Sequence, residues 1–177
     1  GPVDSPREWL SITWDGGRFE ASGRGGALAP STDASRWQLI GVIDIYDHTF
    51  LGAASDGQSL VAVGWTGAIA VSHDGQTLTM VHPGYEDHHL YDVDWGNGVF
   101  VAVGSGGSVL TSATGDQWEE HPSGTALDLH GVRVTGEEFV GVGESGTALV
   151  SDDGFSWGSS GPAGGGSRGG GRGAGSE

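Results

Sequence analysis

The stretch Val101–Trp118, VAVGSGGSVLTSATGDQW, joins two unlike halves: an apolar run punctuated by glycine, then a polar knot closing on tryptophan. Alone it offers three readings: a glycine-rich phosphate loop, a turn carrying a catalytic serine, or a structural building block. Its recurrence decides. The pattern G-x-x-G-x-x-x-x-S stands at Gly23/Gly26/Ser31, Gly64/Gly67/Ser72, Gly104/Gly107/Ser112 and Gly143/Gly146/Ser151, with starts 41, 40 and 39 residues apart. A large apolar residue precedes each copy (Phe19, Leu60, Phe100, Phe139), and the turns STDASRW, SHDGQTL, SATGDQW and SDDGFSW follow. Fixed internal spacing within a period of this length marks a repeat array rather than a single site.

Each unit parses into four short strands. In the third they are LYDVDW, VFVAVG, SVLTSA and QWEEHP, here A to D. Strand B is apolar throughout instead of alternating, as expected when both sheet faces are covered. The glycines after it accept backbone angles that other residues resist, allowing a tight reversal. No segment keeps a helical period. The fold class is therefore all-β, a β-propeller of four-stranded blades over residues 8–46, 47–86, 87–126 and 127–157.

In SDDGFSW, Asp153 is placed to accept backbone N–H groups in an Asx-turn, Gly154 to take positive φ, and Trp157 to fill space between blades. The corresponding structural positions are Ser31, Asp33 and Trp37; Ser72, Asp74 and Gly75; Ser112, Gly115 and Trp118; and Ser151. The phrase S-x-D-G-x-x-W resembles the Asp-box of bacterial neuraminidase (BNR) repeats. The longer phrase VAVG..G.I..S.DG..W is similar to repeats of the photosystem II stability/assembly factor family, within the WD/YVTN/BNR-like superfamily. The resemblance covers the four repeats and departs at Ala34 (for Gly), Leu78 (for Trp) and Thr114 (for Asp). It implies a propeller with an accessory or scaffolding role in an envelope, periplasmic or extracellular space. An Asp-box is structural and specifies no activity.

Neuraminidase-like repeats usually form rings of six or more blades, and this chain carries four. Entering near Leu10 on strand A and leaving near Trp157 on strand D, it shows no blade shared by its two ends. The alternatives are a compact four-bladed ring, half of a larger ring completed by self-association, or a fragment. An open array exposes an apolar blade face at each end, an expected association surface.

The chain has 177 residues and a net charge of −16, with no cysteine and no lysine. Residues 1–157 hold 22 acids against five arginines, a charge that disfavours nucleic acid and anionic membranes. Missing thiols exclude disulfides and thiolate zinc sites, and missing lysine excludes a Schiff base or P-loop. No apolar run is long enough for a membrane helix. The start Gly1-Pro2 in place of Met reads as a scar or processing site, making residues 1–7 a lead-in. Residues 158–177, GSSGPAGGGSRGGGRGAGSE, lack the apolar surface to fold and read as a tail or linker without RNA-binding character.

Most chemical motifs dissolve into the repeat. GVGESG at Gly141–Gly146 satisfies G-x-G-x-x-G, but a dinucleotide loop needs a helix where a second strand follows here. GESGT misses the nucleophile elbow at Thr147. DVDWGNG, with Asp92, Asp94 and Asn97, lacks the distal glutamate of a calcium loop. A sialidase-like hydrolase would need converging arginines. Arg18 and Arg36 map to turns opposite the usual site, leaving Arg7, Arg24 and Arg133. No catalytic residue or cofactor is assigned.

The D–A connections DIYDHTF, GYEDHHL and ALDLHGV place Asp47/His48, Asp87/His88/His89 and Asp128/His130 at related positions in successive blades. One reading has them closing polar turns. The other makes them a binding face, joined by Trp65, Tyr85 and Arg24, and pH-sensitive through histidine. A metal site within His82, Glu86 and His88 is the local option. The expected function is a non-catalytic module binding a protein or other macromolecule through this face. A glycan-binding or sialidase-type module and a self-assembling structural repeat are the alternatives.

Overall fold

The computed structural model describes residues 8–40, 48–81 and 87–160. They form an all-β chain of four blades arranged as a β-propeller. Blade 1 contains β1 (Trp9–Trp14), β2 (Phe19–Gly23) and β3 (Ala27–Ser31), and among the described residues Ile40 adds an antiparallel bridge to Leu28. Blade 2 contains β4 (Phe50–Ser55), β5 (Leu60–Gly64), β6 (Ile69–Ser72) and β7 (Thr79–Val81). Blade 3 contains β8 (Leu90–Gly96), β9 (Val99–Gly104), β10 (Val109–Ser112) and β11 (Glu119–His121). Blade 4 contains β12 (Leu129–Thr135), β13 (Glu138–Gly143), β14 (Ala148–Ser151) and β15 (Gly158–Ser159). Each is an antiparallel meander in chain order. In blade 4, pairing runs two residues past Trp157, into the start of the glycine-rich stretch.

The register repeats. Trp9, Phe50, Leu90 and Leu129 lie opposite Gly23, Gly64, Gly104 and Gly143, and an irregularity follows each pair. These glycines are the first of the repeat phrase. A Cβ there would fall on the carbonyl oxygen of Glu8, Thr49, His89 or Asp128. The next residue's N–H, on Arg24, Trp65, Ser105 or Glu144, donates to that same carbonyl at 2.9–3.1 Å. The glycine thus lets strand B close against the residue that opens strand A.

The polar knot is held by its serine and aspartate. Asp33, Asp74 and Asp153 each accept two N–H groups through Oδ1, from Ser35 and Arg36, Gln76 and Thr77, and Phe155 and Ser156, at 2.6–2.9 Å. Ser72, Ser112 and Ser151 accept the N–H of the turn glycine at 2.8–3.1 Å. The indoles of Trp37, Trp118 and Trp157 donate back to the carbonyl of the positive-φ residue. Ala34 takes that role in blade 1 with φ 56°. Thr114 accepts a single N–H, at 3.4 Å.

The core sits between blades. Strand A of each blade packs on strands A and B of the preceding one: β4 on β1 and β2, β8 on β4 and β5, β12 on β8 and β9. Valines of one blade meet aromatic and aliphatic residues of the next. Val99, Val101, Val103 and Val109, for example, lie against Leu129, Val132, Phe139 and Leu149. Among the described residues, no strands of blade 4 and blade 1 pack to this extent. The A strands of all four blades line a central hollow of about 460 Å³, from Thr13 and Trp14 through Ser55 and Asp94 to Arg133.

Candidate binding face

The D–A connections and B–C turns share one end of the propeller, because strand A begins where strand B ends. Each B–C turn is a short 3₁₀ turn in blades 2 to 4, at Trp65–Gly67, Ser105–Gly107 and Glu144–Gly146. The middle residue takes positive φ (Thr66 53°, Gly106 64°, Ser145 53°), which aims its N–H toward the following blade. Thr66 N–H donates to His89 Nδ1 at 3.0 Å, and Gly106 N–H to Asp128 Oδ1 at 2.8 Å. His89 and Asp128 therefore latch successive blades, and that bond fixes His89 Nδ1 as an acceptor.

Beside these latches runs an aromatic arc across three blades. Ring centroids are 6.4 Å apart for Trp65 and His89, 6.3 Å for His89 and Tyr91, and 5.0 Å for Tyr91 and His130. Trp65, His89 and His130 are exposed, and Tyr91 is half-buried. The Tyr91 hydroxyl donates to Asp128 Oδ2 at 3.1 Å. Burial, then the Asp128 carboxylate and the charge of Glu144, push the Tyr91 pKa up. The Gly106 N–H, more than the Tyr91 hydroxyl, holds Asp128 below the usual carboxylate range. The rim is therefore anionic around an aromatic floor.

Of the residues expected at this face, Trp65, His89, Asp128 and His130 come together. His88 turns elsewhere: its Nδ1 meets Ser108 Oγ at 2.8 Å, beside a separate hollow of about 510 Å³ with His121, Pro122 and Thr125. Asp87 is exposed, and His48 is half-buried with its carbonyl accepting Gly26 N–H. Asp47, Tyr85, His82, Glu86 and Arg7 lie outside the described residues. Among the described residues no three His, Asp or Glu side chains are grouped to hold a metal. Arg24 pairs with Glu8 at 2.9 Å and Arg133 with Asp92 at 2.7 Å, so each already has an acid of its own.

Tyr91 escapes a reading confined to loops, because it lies within strand A. Aligning the register would have found it: Leu10, Leu51, Tyr91 and His130 share one position. Also unforeseen is a line of Ser59, His73 and Asp116 at the opposite end, with Ser59 Oγ to His73 Nδ1 at 2.9 Å and His73 Nε2 to Asp116 at 3.0 Å. Ser59 is buried. The line ties blade 2 to blade 3.

No protein-family model matches the chain, and neither does any curated protein. Solved structures share its fold. A structure described as YCF48 bound to D1 peptide is 17% identical with a TM-score of 0.63, over 90% of this chain and 58% of that one. YCF48 from Cyanidioschyzon merolae is 13% identical, TM-score 0.61, over 89% and 57%. The WD40 β-propeller domain of Doa1 is 11% identical, TM-score 0.61, over 84% and 52%. The chain thus spans just over half the length of each.

Proposed function

We propose that this propeller is a non-catalytic protein-binding module whose arc of Trp65, His89, Tyr91 and His130 receives an extended, cationic peptide segment. The arc itself carries the reading. Three blades contribute rings to one continuous, largely exposed strip, and inter-blade hydrogen bonds fix its supports, so little ordering is needed on binding. Aromatic floors with acidic rims suit Lys and Arg side chains through cation–π contact and charge complementarity. The peptide bound to YCF48 in one fold neighbour supports a peptide as ligand class. We assign the turns at Asp33, Asp74 and Asp153 to the Asp-box type, since each carboxylate gathers two successive N–H groups. An envelope or extracellular setting is part of the proposal, on the resemblance of the repeats alone.

Selection from a random peptide display library on the purified chain tests it. Enriched peptides are expected to be basic, and to lose about tenfold or more in affinity on Trp65→Ala and Tyr91→Ala, as anchor residues do. Phe155→Ala, an exposed residue at the opposite end of the propeller, is expected to leave binding intact. Failure to enrich any sequence, or affinity indifferent to both arc substitutions, would overturn the reading.

A further inference from the structure

The two ends of the blade array carry the two halves of one unmade interface. In the register, Ile12 holds the position of Ala53, Val93 and Val132. Those three are at most 1% exposed beneath the preceding blade, while Ile12 is 59% exposed. Trp9 is 41% exposed where Phe50, Leu90 and Leu129 are fully buried. With Ala21 and Trp37 they line an apolar groove of about 490 Å³ on blade 1. At the other end, Val142 is 49% exposed, although Val63 and Val103 at the same position are completely covered. Val140, Ala148 and Val150 beside it are only half-buried, where Val61, Ile69 and Val71 of blade 2 are sealed by blade 3.

A polar latch is divided the same way. Thr66 and Gly106 donate their N–H to the residue that opens the next blade, His89 or Asp128. Ser145 has the same place and the same positive φ in blade 4, and finds no such acceptor among the described residues. Glu8 opens blade 1 with an exposed carboxylate that pairs with Arg24 and, among the described residues, receives no backbone N–H from another blade. Apolar and polar features therefore match at both ends.

We propose that a second copy of this chain seats its blade 4 on blade 1 of the first, and the reverse, closing an eight-bladed ring of two protomers. Two observations identify the occupant. Each end presents the surface that the three internal blade interfaces already show to be complementary. The donor of one end fits the acceptor of the other. A head-to-tail contact closes when its rotation does, and here each copy buries both ends at once.

Light scattering coupled to size exclusion, over micromolar to millimolar loading, is expected to give twice the chain mass of 18.0 kDa. Ile12→Glu and Val142→Glu should each yield monomer with unchanged circular dichroism, both side chains being exposed in the single chain. Mixed in equal amounts, the two variants should recover a heterodimer, since one intact seam remains between the undamaged faces. A wild-type monomer at every concentration would overturn the proposal. So would a dimer untouched by Ile12→Glu, or a mixture that stays monomeric. Peptide binding by monomeric variants separates this outcome from that of the binding face.

Discussion

Glu20 occupies the position that Val61, Val101 and Val140 hold in the other blades. It is buried between blades 1 and 2, and Oε2 has no hydrogen-bond partner. Arg18 donates to its other oxygen and to Ser55 Oγ, with Asp15 close by. Desolvation outweighs Arg18 and raises the pKa from 4.5 to about 7. A carboxyl with a raised folded pKa contributes its stability below the unfolded value, and loses it as pH rises through the folded one. Folding should therefore weaken between pH 4.5 and about 7, by roughly 3 kcal/mol for the full difference. Urea denaturation of Glu20→Gln is expected to lack this decline. Parallel pH profiles for variant and wild type would refute the assignment.

At the scale of the element, the C–D turn works with the opposite sign. Backbone N–H groups depress the pKa of Asp33, Asp74 (to about 2) and Asp153. Their contribution is present above the ordinary carboxylate range and fades as pH falls through the lowered values. Asp153→Ala should cost about 1 kcal/mol, discounted for exposure, and lower Tm by about 2–4 °C at neutral pH. The deficit should shrink toward pH 2, and a constant deficit would mean the carboxylate charge is not what matters. The pattern of these turns is local, because one short segment supplies carboxylate and left-handed residue together, with an indole at Trp37 and Trp157. Ala34 shows that the turn survives without its glycine, the remaining bonds holding an alanine at φ 56°. What stayed illegible spans blades. Tyr91 reaches the candidate face through the phase of strand A, and His73 meets Asp116 across 43 residues. Neither pairing leaves a local pattern.

In the whole molecule, stability is a chain of blade interfaces, each blade held only by its neighbours. The seams between blades 2 and 3 and between 3 and 4 are apolar, dominated by valine, leucine and phenylalanine. The seam between blades 1 and 2 has an apolar cluster too, Leu28 and Ile40 against Phe50, Ala53 and Leu60, but it also encloses side-chain oxygens of Thr13, Glu20 and Ser22 that lack a partner. Buried polar atoms left unpaired cost more than apolar ones of the same shape. Blade 1 also carries Trp9 and Ile12 in the open. It should therefore open before the rest. Native-state hydrogen exchange should show lower protection in β1–β3 than in β5 and β9, whose backbones lie in the two-sided centre of the array. Raising protein concentration should then protect β1–β3 and the outer strands of blade 4, both ends being covered in the proposed dimer, while β9 stays unchanged. Equal protection of β2 and β9 in dilute protein would mean that blade 1 is held as firmly as the centre, and that its orphaned polar atoms carry no cost.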